Sequence, residues 1–304
     1  MKIDRNILKQ RQSLSLEAKI LMSKNRIEEW YEHFEGRVYV SFSGGKDSTV
    51  LLHLVRTMYP EVPGVFVDTG LEYPEIRDFV KTRDNIIWLR PKMQFHEVIK
   101  KYGFPVISKV QARFISDVQN ASERNKATVN LRLTGYNRNG EYCPSMRISK
   151  KWIPLVNSGF KISERCCDIM KKEPFLRYKK KTNRVPISGV MAFESDRRSR
   201  DYLEYGCNHF KNKTNLISMP IAFWLENDIW DYVKKNNLSY SKIYDMGERR
   251  TGCMFCMFGV HLEKGENRFQ RMKKTHPRQY DYCINKLGCG KVLDFIGVKY
   301  DCNS

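Results

Sequence analysis

"VYVSFSGGKDSTVLLHL", residues 38–54, passes from an apolar β-prone run through a Ser-Gly-Gly-Lys-Asp-Ser turn into an apolar helical pattern. At the C-terminal edge of a parallel sheet, such a strand–turn–helix presents backbone N–H groups and a positive helix end to an anion. Gly44 and Gly45 let the backbone approach that anion with no Cβ in the way. Ser43 and Ser48 add hydroxyl donors, and Lys46 adds a point charge. The spacing is neither G-x-x-x-x-G-K-[ST] nor G-x-G-x-x-G, since only two adjacent glycines precede the lysine. The turn reads as a phosphate loop of another kind.

Working outward, residues 14–35 carry helical spacing that stops at Gly36, with 38–42 as a buried strand and 49–58 as the following helix. Residues 64–70 and 85–91 read as further strands, and 74–82 and 94–102 as helices, with Pro74 near a first turn. This alternation predicts an α/β fold with a doubly wound, mainly parallel sheet. Residues 103–165 break the pattern with polar clusters and weak periodicity, and read as a basic insertion or lid. Strands are expected again at 184–190 and 215–224, then a helix over 225–238 with Asn227 as its cap. The organisation expected is an N-terminal helical segment (1–36), a nucleotide-binding domain (37–250) and a cysteine-rich C-terminal tail (251–304).

The composition narrows the classes. A chain of 304 residues with 41% hydrophobic and 12% aromatic content can bury a core, which argues against global disorder. No apolar run approaches membrane-spanning length, and the first residues lack a secretory apolar region, so a cytoplasmic protein with no membrane partner is expected. Nine cysteines then point to metal or redox chemistry, or to buried thiols, rather than a disulfide framework. The formal charge is +20, and residues 121–200 hold 19 Lys/Arg against 7 Asp/Glu. A solvated basic face and a polyanionic partner such as DNA or tRNA are both open from charge alone.

"SFSGGKDS" resembles the pyrophosphate loop (PP-loop) of the adenine nucleotide alpha hydrolase-like superfamily, which includes the N-type ATP pyrophosphatases and the phosphoadenylylsulfate (PAPS) reductases. The resemblance implies an adenine nucleotide held by Ser41, Ser43, Gly44, Gly45, Lys46, Asp47 and Ser48, with Lys46 and Asp47 as the catalytic pair. "FVDTGLEYPE" at 66–75 resembles the motif lining the adenosine site, which implies Asp68, Thr69 and Glu72. "PISGVMAFESDRR" at 186–198 resembles the family's Gly…Glu-Ser…Arg segment, implying Gly189, Glu194 and Arg197. The segment 220–247 resembles the stretch that precedes the tail in these proteins. For Asp68 alone, a strand-end cap is the plainer reading.

Cys166-Cys167 and Cys253-x-x-Cys256, taken alone, fit a metal or cluster edge, a redox pair or buried thiols. Adjacent cysteines reach one site only through an unusual local backbone. Together the motifs resemble those of the adenylylsulfate reductases, which implies that all four cysteines ligate one [4Fe–4S] cluster; structural zinc is the alternative, because soft thiolates suit both metals. Arg165, Lys171, Lys172, Arg249 and Arg250 would balance the thiolates or draw in an anionic substrate. Reductases of this family use a further cysteine in a Glu-Cys-Gly segment. Here Cys289 lies in Gly-Cys-Gly, and Cys302 stands near the end, so a buried or tolerated thiol is the plainer role for each.

The intact loop favours ATP with Mg²⁺ near Asp47. The reading that follows is a sulfurtransferase that cleaves ATP to AMP and pyrophosphate to activate a nucleic-acid acceptor, served by a sulfur donor protein. The alternatives are a PAPS or adenylylsulfate reductase releasing sulfite, and a non-catalytic nucleotide- and nucleic-acid-binding accessory protein. His53 reads as packed, His261 and His276 as tail residues, and Tyr240 and Tyr244 as packing.

Overall fold

The computed structural model describes residues 3–210 and 216–301. Its strands are β1 (Val38–Ser41), β2 (Gly64–Val67), β3 (Ile86–Leu89), β4 (Val106–Ile107), β5 (Val185–Ser188), β6 (Asn208–His209), β7 (Ile217–Ser218) and β8 (Met257–Phe258). Its α-helices are α1 (Arg5–Gln12), α2 (Leu16–His33), α3 (Lys46–Arg56), α4 (Pro74–Lys81), α5 (Phe95–Lys101), α6 (Lys109–Gln119), α7 (Lys126–Thr134), α8 (Glu173–Thr182), α9 (Asp196–Tyr205), α10 (Glu226–Lys235), α11 (Arg268–Thr275), α12 (Pro277–Asp281) and α13 (Cys289–Phe295). No helix among the described residues is long and apolar enough to cross a membrane.

The chain forms two compact units. The first gathers Met1–Asp68, Tyr73–Leu89 and Phe175–Thr251. Its sheet has the order β3-β2-β1-β5-β7-β6, with every neighbouring pair parallel except β6 against β7. That is the expected α/β architecture. The apolar run 38–40 is fully buried, as a central parallel strand covered on both faces must be. Tyr39, Val65 and Tyr178 build one cluster with Ile87, Leu89 and Phe175. Helix α3 buries Val50, Leu51, Leu54 and Val55, and α2 buries Ile27 and Trp30.

Local chemistry sets the ends. Ser15 accepts from the Ala18 amide at the start of α2, and Pro74 opens α4, where its missing N–H costs nothing. Helix α3 begins at Lys46, three residues before the expected start, because Gly45 is already its N-cap. The helix over 226–235 is capped from Leu225, whose amide donates to Asp228 Oδ2 at 2.6 Å, and not from Asn227. Asp228 also pairs with the buried Lys19 at 2.7 Å, tying α10 to α2. The strand expected over 215–224 shortens to Ile217–Ser218, with Lys211–Asn215 outside the described residues.

The second unit gathers Thr69–Glu72, Arg90–Pro174 and Gly252–Ser304, so the basic insertion and the cysteine tail share one body. β4 and β8 pair in parallel, Val106 with Met257 and Ile107 with Phe258. The insertion, expected to be weakly structured, contains α6 and α7. Its periodicity is faint because the residue that α7 buries is Arg132. That guanidinium lies 3.9 Å from the Phe114 ring centroid and 2.9 Å from Asp117 Oδ2.

Candidate functional site

In the first unit the Ser43–Ser48 turn closes on itself. The Ser48 hydroxyl donates to the Gly45 carbonyl at 2.9 Å and accepts from the Ser43 amide at 3.1 Å. The Ser43 and Ser48 hydroxyls are 3.0 Å apart, and Thr49 Oγ1 donates to the same Gly45 carbonyl. Gly44 has φ +73, and a Cβ there would stand 2.7 Å from Val80 Cγ2. Gly189, at the end of β5, lies where a Cβ would meet the Asp47 carbonyl at 3.2 Å. Close packing therefore excludes a side chain at position 44, beside α4, and crowds one at position 189, beside the first turn of α3.

Charge gathers over the same turn. The buried Lys46 ammonium lies 3.6 Å from Asp47 Oδ1 and 3.4 Å from Glu226 Oε1, and reaches the Arg249 carbonyl at 3.5 Å. The Lys46 amide donates to Tyr244 Oη at 2.8 Å, so Tyr244 touches the loop as well as packing edge-on to Trp230. Burial raises the Asp47 carboxyl above its ordinary value, against the pull of Lys46. Asp47 Oδ1 is buried without a hydrogen-bond partner. Arg198 is lowered by burial and by the like charge of Arg250, with Asp47 acting in the opposite sense. Cations held near one another around a glycine turn are an arrangement an anion relieves.

The remaining implied nucleotide residues divide. Asp68, at the end of β2, is ion-paired with Arg77 at 3.0 Å. Ser41 ends β1 itself. Glu194 accepts from the Met191 amide at 3.1 Å and pairs with Arg198 one helical turn on. Arg197 points away, 85% exposed and 3.9 Å from Asp201. Arg198 is the neighbour that feels the Asp47 charge, and no feature of the sequence separates the two.

Thr69 and Glu72 lie in the second unit, where the Thr69 amide and hydroxyl both donate to the Glu72 carboxylate at 2.8–2.9 Å. The four cysteines are in this unit too. Burial pushes the Cys166 thiol well up, and Cys253, Cys167 and Cys256 add to the rise. Cys253 is pushed up to about 11 by burial, with Lys171 opposing and Glu72, Cys256 and Cys167 reinforcing. Burial also raises Cys256, which receives a backbone hydrogen bond from Phe258 and feels Arg268. Lys171 is held above the ordinary ammonium range, chiefly by Cys253 and then by Glu72.

Two local features flank these thiols. Asp168–Lys172, directly after Cys166-Cys167, is a turn of π-helix, a backbone form that concentrates at functional sites. The Met254 amide donates to the Leu71 carbonyl at 2.8 Å, fixing the Cys253–Cys256 turn to the Thr69–Glu72 segment. Among the described residues no group of three or more His, Cys, Asp or Glu side chains is closed around a metal position. The donor set itself, four thiols within electrostatic reach of one another beside a lysine, fits a thiolate-bound metal or cluster.

Cys289 is fully buried, and interaction with its thiol, together with burial, raises the Cys283 thiol. Such thiols are inert by burial. Cys302 lies outside the described residues. His53 packs on Tyr232, with Nδ1 2.9 Å from its hydroxyl. His261 lies edge-on to Trp152, and His276 is buried beside Thr275.

Comparison with known proteins gives a consistent family. A model of the phosphoadenosine phosphosulfate reductase domain matches residues 37–111 and 87–258 in two overlapping segments. The uncharacterized protein MJ0973 of Methanocaldococcus jannaschii is 27% identical over 265 residues, covering 86% of this chain and 51% of that relative. The chain thus spans about half of that relative's length. An adenosine 5'-phosphosulfate reductase of Bacillus cereus is 24% identical over 244 residues, 78% of this chain and 80% of that protein. Among solved structures, the PAPS reductase of Candida auris in a phosphate complex aligns with a TM-score of 0.44 at 14% identity, over 83% of this chain and 97% of that one.

Proposed function

Because the chain belongs to the phosphoadenosine phosphosulfate reductase domain family, we propose that it is a sulfur-metabolism enzyme that binds ATP on the Ser43–Ser48 turn. The observation that carries this reading is the buried Lys46 on the glycine turn, 3.6 Å from Asp47 Oδ1, with Arg198 feeling the charges of both Arg250 and Asp47. A pyrophosphate leaving group develops negative charge, and cations fixed in advance around its position stabilise it. An acceptor oxygen attacks the α-phosphorus, the bond to the β-phosphate oxygen breaks, and pyrophosphate departs with the electron pair. The adenylated acceptor then exchanges AMP for sulfur. The orphaned Asp47 Oδ1 fits a hard cation travelling with ATP.

Cys166, Cys167, Cys253 and Cys256 would hold a [4Fe–4S] cluster, with zinc as the competing metal. When bound, a cluster supplies soft iron sites with affinity for sulfur. Lys171 offsets the thiolate charge there. The acceptor is a nucleic acid, drawn by the basic second unit, and a sulfur donor protein completes the cycle.

A second reading is favoured by one observation, the likeness to a protein named adenosine 5'-phosphosulfate reductase over 80% of its length. In that reading the same turn holds an adenylyl sulfate and sulfite is released.

The two readings part in one experiment. Anaerobically purified protein, its visible spectrum recorded, is given ATP with Mg²⁺ and, separately, adenylyl sulfate with a thiol reductant; pyrophosphate and sulfite are both assayed. Pyrophosphate without sulfite, abolished by Lys46→Ala in a folded protein, is the expected outcome. Sulfite without pyrophosphate would establish the reductase reading. Neither product, with nucleic acid still bound, would leave a non-catalytic accessory protein.

A further inference from the structure

Helix α7 ends at Gly135, whose φ of +89 turns the chain back on itself. Tyr136 and Tyr142 then face each other as an isolated antiparallel bridge. The Cys143 amide donates to the Gly135 carbonyl at 2.7 Å, and Asn137 to Glu141 at 3.0 Å. The Asn137 side chain accepts from the Asn139 and Glu141 amides, both at 2.9 Å, which closes the loop. This hairpin is anchored from below. The Ile148 amide donates to the Arg132 carbonyl, and the buried Arg132 guanidinium donates to the Met146 carbonyl at 3.0 Å as well as to Asp117.

A well-bonded and anchored hairpin nevertheless turns its aromatics outward. Tyr136 and Tyr142 are 49% and 50% exposed, their ring centroids 5.2 Å apart and tilted by 47°. Leu133 and Met146 are exposed beside them in sequence. The surroundings are cationic. Arg138, Lys150 and Lys151 are exposed, and Arg147 donates to the Tyr142 hydroxyl at 3.2 Å. Glu141, the sole acid in residues 133–151, is held by the Asn137 amide at 2.6 Å. Rigid aromatic faces flanked by cations suit one ligand chemistry above others: unpaired bases on a phosphodiester backbone, whose π-faces stack irrespective of sequence.

We infer that the Tyr136–Arg147 hairpin is a stacking platform for unpaired nucleobases, with Tyr136 and Tyr142 taking base faces and Arg138, Arg147 and Lys150 the adjoining phosphates. The inference deepens the nucleic-acid part of the proposed function and rests on it. It adds the element, the residues and a preference: duplexes hide their base faces and bind less well here than single strands or loops.

Fluorescence anisotropy on the full-length protein tests it, with labelled oligothymidylate, oligouridylate and a duplex as probes. Single strands should bind more tightly than the duplex, and comparison of the two single strands reads any preference for DNA or RNA. The double variant Tyr136→Ala/Tyr142→Ala should weaken single-strand binding about tenfold or more, while Tyr→Phe at both positions keeps it. Arg138→Glu should weaken every probe and flatten the salt dependence. Thermal melts followed by circular dichroism verify the fold, and Tyr142→Ala alone serves if the double variant does not fold. Unchanged oligonucleotide affinity in the alanine variants overturns the platform, as it would if the hairpin docked a protein instead. If the wild type binds no probe, the platform and the nucleic-acid acceptor both fall, while pyrophosphate release at Lys46 is a separate readout.

Discussion

Arg197 and Arg198 are neighbours of identical chemistry, and only the helix they sit on tells them apart. One helical step turns Arg197 to solvent, while Arg198, 39% exposed, pairs with Glu194 and senses Arg250 and Asp47. Removing a fixed cation from a developing phosphate charge typically costs a large factor in rate, whereas an exposed ion pair is worth little. Arg198→Ala should therefore lower the rate of pyrophosphate release from ATP by about tenfold to a hundredfold. Arg197→Ala should leave it near wild type. Steady-state kinetics on the two variants, side by side, decide the matter.

Among the elements, α4 is the one that shapes the glycine turn, because Val80 and Ile76 occupy the space a side chain at position 44 would need. Gly44→Ala combines a left-handed backbone with a clash against two buried residues, and should destabilise the first unit by about 2–4 kcal/mol in urea unfolding. Gly70→Ala, at a similar φ of +76 with nothing within 4 Å, should cost only the backbone part, about 1–2 kcal/mol. Elements of this first unit were largely legible in the sequence. β1, β2 and β3 are apolar runs closed by turn residues, and α2, α4 and α10 carry a clear apolar face. Legibility failed where burial is not apolar. Helix α7 hides an arginine, and the π-turn after Cys166-Cys167 leaves no trace in periodicity. The glycine turn was readable from residue types alone as the link between a buried strand and a helix. The choice of Arg198, and the contact of Tyr244 with Lys46, depended on helix phase and on residues far apart in the chain.

At the scale of the molecule the charge is unequal: the second unit has 26 Lys and Arg against 13 Asp and Glu, which is +13 of the total +20. The stability of the chain takes part of its pH dependence from two shielded imidazoles. Burial lowers His53 and His209 below the ordinary histidine value, and His209 Nε2 is buried without a partner. Below about pH 6.5 the unfolded chain takes up these protons first, so stability is full above that pH and declines as the pH falls toward the lowered folded values. Asp47, raised by burial, contributes the opposite slope at lower pH. Urea midpoints should fall between pH 7 and the region just below the ordinary histidine value, and His53→Gln together with His209→Gln should flatten that fall. The interleaving of the two units has a further consequence, for biosynthesis. The second unit takes its Cys-Cys pair from the middle of the chain and its Cys-x-x-Cys turn, with strand β8, from near the end. At ordinary elongation rates Cys166 and Cys167 leave the ribosome on the order of 4 to 20 seconds before Cys253 and Cys256. During that interval the early pair stands open to oxidants and stray metals, so a centre that used all four cysteines could close only after Cys256 has emerged.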